Sequence, residues 1–180
     1  MTPKDTYVLA MNTLLGINGH AKDEKKAHKL MMKASAAYVS DQNLSEEEIM
    51  NQAYIHYEKK EFEKAFYLFE IAAEKGNSRA LYMLGMILSE YDHTKALEYY
   101  QKAYEKGLAI AAYALGFAYE EGLGTEVDYT KAIEYYTFAA ENGDIEAMGN
   151  LQMMYEDGRG TEPDMEKAAY WAEMIEKAEM

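Results

Sequence analysis

Apolar residues return along this chain at helical spacing, and the pattern restarts every thirty to forty residues. The clearest unit is Ala111 to Gly143. Ala111, Ala112, Leu115 and Tyr119 share one side of a first helix, and a Gly-rich loop follows. A second helix carries Ala132, Tyr135, Tyr136 and Ala139, and Gly143 ends it. The dipeptide Lys-Ala sets the register at Lys26, Lys64, Lys95, Lys131 and Lys167, with spacings of 38, 31, 36 and 36. Four residues after each Ala stand Met31, Phe69, Tyr100, Tyr136 and Ala172; seven after it stand Ala34, Ala72, Ala103, Ala139 and Ile175. Positions four and seven apart lie on one helix face, so each second helix presents an equivalent stripe. Neither helix of a hairpin buries such a stripe alone, and the units must stack. The pattern predicts an all-α protein: a right-handed α-solenoid of about five helix-turn-helix repeats in one domain, residues 1–180.

The first hairpin, about residues 5–39, is the least regular and reads as the amino-terminal cap. Val8, Met11 and Leu15 make its first stripe, a polar loop spans Gly19 to Asp23, and Ala27, Leu30, Met31 and Ala34 make the second. Ser45 followed by Glu48 is a capping box opening the next helix, and Glu46, Glu47 and Glu48 suit a helix amino terminus. Further hairpins are expected at about 46–76, 77–107, 108–143 and 144–180. Gly76 and Gly107 stand where a left-handed residue closes a helix. The fourth and fifth hairpins insert Gly122-Leu123-Gly124-Thr125 and Gly158-Arg159-Gly160-Thr161, after which Asp128 and Asp164 occupy amino-terminal cap positions.

Composition narrows the function. The apolar fraction of 49% is that of a folded chain, and proline is scarce. No run approaches the roughly 20 apolar residues of a membrane-spanning helix. The amino terminus lacks the basic and apolar regions of a signal peptide, so a cytoplasmic chain is the reading, with a periplasmic or secreted protein whose leader was removed as the alternative. The absence of cysteine excludes disulfides, thiolate metal sites and a cysteine nucleophile. A formal charge of −14 repels phosphate backbones and favours basic partners over nucleic acid.

These residues resemble the Sel1-like repeat (SLR) family, a relative of the tetratricopeptide repeat. The fourth hairpin follows its pattern at Ala111, Leu115, Gly116, Tyr119, Gly122, Gly124, Asp128, Lys131, Ala132, Tyr135, Tyr136, Ala139, Ala140 and Gly143. The fifth matches at Ala147, Leu151, Tyr155, Gly158, Gly160, Asp164, Lys167, Ala168 and Trp171, but carries Gln152 in place of Gly, which is expected to loosen the helix approach. The third lacks the Gly-x-Gly loop, and the second is closer to a tetratricopeptide unit. The resemblance covers about residues 46–180 and implies a protein-binding solenoid, an adaptor rather than a catalyst. Two further roles follow from family analogy: a bacterial immunity protein clamping a toxin, or an envelope-associated glycan- or cell-wall-binding protein.

In such solenoids the first helices line the concave side, the usual binding surface. Positions two before and two after the core leucines are Tyr82 and Met86, Tyr113 and Phe117, and Gly149 and Met153, with Asn51 and Ile55 in the second hairpin. Packing within a repeat does not require them, and their aromatic and Met character suits a binding surface. Glu58, Glu120 and Glu156 are expected to rim the strip. The expected groove residues are Asn51, Ile55, Tyr82, Met86, Tyr113, Phe117, Met153, Glu120 and Glu156, and the expected partner is a protein or peptide with apolar anchors and basic flanks. Tyr170, Met174 and Ala178 on the last helix face outward in this register, as a polar cap or as a homodimer seam.

No catalytic, cofactor or metal site is expected. His20, His28, His56 and His93 are scattered without ligand spacing. The Gly-x-Gly loops lack the preceding strand and phosphate-binding Lys of a nucleotide cradle, and no nucleophile elbow occurs.

Overall fold

In the computed structural model residues 23–180 are described, and among them every regular element is an α-helix. We number these α1 (Glu24–Asp41), α2 (Glu46–Glu58), α3 (Phe62–Glu74), α4 (Ser78–Leu88), α5 (His93–Glu105), α6 (Ala109–Glu121), α7 (Tyr129–Glu141), α8 (Ile145–Asp157) and α9 (Met165–Ala178). The Val8, Met11 and Leu15 stripe and His20 lie outside the described residues. The chain is an all-α solenoid of helical hairpins, divided into two compact units, one reaching to Met83 and one comprising Leu84–Met180.

Helix boundaries follow from capping chemistry. The side chains of Asp23, Ser45, Asp92, Asp128, Asp144 and Asp164 each accept a backbone N–H from the first turn, at Lys26, Glu48, Lys95, Lys131, Ala147 and Lys167. Each such cap contributes about 1 kcal/mol. Ser45 and Glu48 form the reciprocal box, with both backbone N–H groups satisfied. At Asp92, Asp128 and Asp164 the second carboxylate oxygen faces the Lys ammonium at 3.2, 3.6 and 3.5 Å. Lys131 and Lys167 also lie 4.8 and 4.9 Å over the rings of Tyr119 and Tyr155 on the first helix of the same hairpin. One Asp-x-x-Lys motif therefore starts the second helix and ties it back to the first.

Closure is equally regular. The N–H of Gly76 reaches Ala73 and that of Asn77 reaches Ala72; Gly107 with Leu108, and Gly143 with Asp144, repeat this pair of bonds. That is the Schellman closure, which needs the positive φ of 100°, 80° and 90° found at the three glycines. Gly124 and Gly160 serve a different purpose. A Cβ there would stand 2.5 Å from the backbone of His93 and 2.7 Å from that of Tyr129, so each loop sits directly on the start of the preceding second helix.

In the first unit α2 pairs with α3, and α1 packs on α3. Met31, Ile49, Ala53, Leu68 and Phe69 are buried there, with Tyr54 meeting Phe69 edge-on at 5.3 Å. Glu70, on α3, is enclosed with only 14% of its side chain exposed, 3.7 Å from His28 of α1. Burial, and next the charge of Glu74, push its pKa up to about 7. In the second unit α6 pairs with α7 and α8 with α9, and the two hairpins join through α7 and α8. Their shared core contains Ala112, Ala132, Tyr136, Ala139, Leu151, Met154 and Trp171.

Candidate functional site

First helices and second helices differ in what they leave exposed. On α6, whose sequence is AIAAYALGFAYEE, Ala111, Ala112, Leu115, Gly116 and Ala118 are buried. Ile110 and Phe117, seven residues apart on the opposite face, each keep 44% of their surface. On α8, IEAMGNLQMMYED, Ile145 and Met153 are exposed, Met153 at 48%, with the half-buried Gly149 between them. The charge on these helices has one sign. Glu120 and Glu121 on α6, and Glu146, Glu156 and Asp157 on α8, are opposed by no Lys or Arg on either helix. Lysines stand on second helices, Lys95 and Lys102 on α5, Lys131 on α7, Lys167 and Lys177 on α9, and Arg159, in the loop after α8, pairs with Glu120 and Asp157.

The expected site residues fall into three groups. Phe117, Met153 and Glu156 are exposed on α6 and α8, as are Asn51 and Ile55 on α2. Asn51 also lines a shallow cavity of about 460 Å³ in the first unit, together with Glu47, Tyr54 and Arg79. Tyr82 and Met86 on α4 are half-buried.

Tyr113 and Glu120 form the third group, and here the structure corrects the sequence. Tyr113 belongs to the packing framework: its ring lies 5.7 Å from that of Tyr136, against the shared core. Burial, and then the neighbouring Glu146, raise its pKa. Glu120 turns inward instead of rimming the strip, with only 11% of its side chain exposed. It accepts the Tyr136 hydroxyl at 2.8 Å and Arg159 Nη1 at 2.7 Å. Burial, and then Glu120 itself, push the Tyr136 pKa upward, so the phenol stays a donor. The partner that draws Glu120 inward lies 39 residues along the chain, in the Gly158-Arg159-Gly160 loop. Ile110 and Ile145 are exposed members of the face that the sequence reading passed over, seven and eight residues before Phe117 and Met153.

The same register explains three helical glycines differently. A Cβ on Gly85 would meet the Tyr100 ring at 2.5 Å, and one on Gly116 the Tyr136 ring at 2.6 Å. Those glycines let the second helix bring its ring close. In the fifth hairpin the corresponding positions are Gln152 and Ala172, so a larger residue on the first helix accompanies a smaller one on the second, and α8 still packs on α9. A Cβ on Gly149 would meet nothing within 4 Å.

Repeating hairpins with this Asp-x-x-Lys clamp and Gly-x-Gly loop decide the family. The Sel1 repeat pattern matches residues 6–38, 56–77, 78–108, 109–144 and 145–175. The chain belongs to the Sel1 repeat family. Its fold is shared with a Sel1 repeat protein from Oxalobacter formigenes, 31% identical with a TM-score of 0.69, over 98% of this chain and 73% of that one. A protective antigen of uropathogenic Escherichia coli strains with an SLR fold is 25% identical, with a TM-score of 0.71 over 98% of this chain and 38% of its own. An immunity protein from Pseudomonas aeruginosa is 23% identical, with a TM-score of 0.56 over 98% of this chain and 68% of its own, a likeness of fold alone. No curated protein matches the sequence. Sel1 repeat proteins are in general scaffolds for protein–protein interaction rather than enzymes.

Among the described residues no three His, Asp or Glu side chains gather as a metal site, and no helix is long and apolar enough to cross a membrane. His56 and His28 are each occupied by one carboxylate, Glu61 and Glu70. Glu61, held by Lys64 and then His56, has its pKa lowered to about 2. These are local pairs on the helices they cap or pack.

Proposed function

We propose that this Sel1 repeat chain is a non-catalytic interaction scaffold that captures a partner protein or peptide on its first-helix faces. In the second unit the recognition residues are Met86, Phe117 and Met153, with Ile110 and Ile145 extending the apolar strip. Tyr113 and Glu120 act as their supports, since both are anchored to the core. Asn51, Ile55 and Tyr82 present the corresponding face in the first unit. The partner carries apolar anchors flanked by Lys or Arg.

One observation carries this reading. Phe117 and Met153 are nearly half exposed on two helices that carry only acidic charge. Exposed aromatic and Met side chains are costly to leave in water and are typical binding anchors. An all-acidic surround selects cationic partners and accelerates their encounter. Replacing Phe117 and Met153 together with Glu should reduce partner capture at least tenfold while leaving helicity and melting unchanged. Unaltered capture would refute the reading. Raising ionic strength should slow association far more than dissociation.

The shared fold with immunity proteins adds no information on the partner, so a toxin-clamping role rests on the same face and the same test. The outer side of α9, where Tyr170 is exposed, offers a second copy of the chain a place to dock. Light scattering at micromolar concentration distinguishes that dimer from a monomer.

A further inference from the structure

The face formed by α6 and α8 also specifies the conformation of what it captures. The middle of the strip consists of Ile110, Ala114, Phe117, Gly149 and Met153, none of which has a side-chain hydrogen-bond donor or acceptor. Of its polar neighbours, Gln152 donates to Glu156 at 2.9 Å. An extended peptide laid across such a strip would bury backbone N–H and C=O groups with nothing to pair them. A helix pairs its own backbone groups and presents only side chains.

Gly149 supports the same conclusion independently. Glycine inside a helix costs about 1 kcal/mol relative to alanine. At Gly85 and Gly116 a tyrosine ring occupies the space that a Cβ would need, whereas at Gly149 that space is open. Internal packing therefore gives no reason for the glycine. Four residues from the exposed Met153, it leaves a low place on the surface of α8 where another helix axis can come close.

We infer that the captured segment is an amphipathic α-helix that lies across α6 and α8 over Gly149. Its apolar residues recur at i, i+3 or i+4, and i+7, and its Lys or Arg residues meet Glu121 and Glu156. This rests on the reading of the α6–α8 face given above.

A random-peptide display library selected on the full chain, counter-selected on the Phe117→Glu variant, tests this. Expected binders carry the helical apolar spacing with Lys or Arg, give helical transferred NOEs when bound, and lose at least tenfold in affinity to Gly149→Leu. That variant should melt at or above the parent temperature, because the added side chain enters open space. Met153→Glu repeats the test without altering the backbone. Binders that lose affinity to Phe117→Glu but are extended when bound overturn the helix and leave the face intact. Binders indifferent to Phe117→Glu, Met153→Glu and Gly149→Leu, or a library yielding none above background, overturn both.

Discussion

Phe117 and Leu115 are two residues apart on one helix, equally apolar, and have opposite roles. Leu115 is fully buried, and Phe117 keeps 44% of its surface. The same division runs through the second unit: the inward sides of α6 and α8 are built of small residues and leucine, with Met148, Met154 and Tyr155 added on α8, and their outward sides carry no cation. The second helices α5, α7 and α9 instead carry the lysines that cap and clamp. A repeat family must keep its framework to keep its fold, so what varies on the outward side is available for recognition. The contrast teaches that hydrophobicity alone does not separate buried from exposed positions; register does.

The comparison breaks most visibly by truncation. Leu115→Ala should lower the free energy of unfolding by about 2–5 kcal/mol, and Phe117→Ala should leave it within about 0.5 kcal/mol, as read by urea titration. Equal losses would mean that Phe117 belongs to the core.

Arg159→Met comes next. It leaves Glu120 with the Tyr136 hydroxyl as its one remaining partner, and the loss should be about 1–3 kcal/mol. Glu121→Gln, next along the chain but exposed, should change unfolding by no more than about 0.5 kcal/mol.

One substitution made twice sharpens the contrast further. Gly116→Ala forces a methyl into the Tyr136 ring and should destabilise by about 1–3 kcal/mol. Gly149→Ala meets open space and should stabilise by up to about 1 kcal/mol through helix propensity. The same sign at both sites would remove the argument that Gly149 is kept free for a partner.

The smallest effect concerns Glu70, a carboxylate buried on a second helix. Its pKa is raised from the ordinary 4.5 to about 7 by burial, with Glu74 adding to it, so folding binds a proton that the unfolded chain releases. The stability it contributes is complete below about pH 4.5 and is lost as pH rises through about 7. Glu70→Gln should flatten the fall in melting temperature across that window. An unchanged pH profile would show that Glu70 is solvated.

Much of this architecture was legible because the repeats report on one another. The Lys-Ala register located the second helices, and Asp128 and Asp164 marked their starts, since a cap is a local interaction that sequence spacing encodes. The exposure of Phe117 and Met153 was legible from their offset from the core leucines for the same reason. Tyr113 and Glu120 were misplaced because their partners are not local. The Tyr136 ring reaches Tyr113 from the next helix, and Arg159 reaches Glu120 across 39 residues. The exchange of Gly and Tyr for Gln152 and Ala172 was half visible, since the glycine change stood in the motif and its compensation did not.

Two methionines give the most direct test of the claim that recognition belongs to the first-helix face. Met153 lies on that face of α8, 48% exposed, and Met165 opens the second helix α9, 66% exposed. Both should oxidise readily with dilute peroxide in the free chain, read by mass spectrometry. With a peptide selected on the chain bound at saturation, Met153 should be protected and Met165 should oxidise at its free rate. Protection of Met165 with Met153 unchanged would contradict the account.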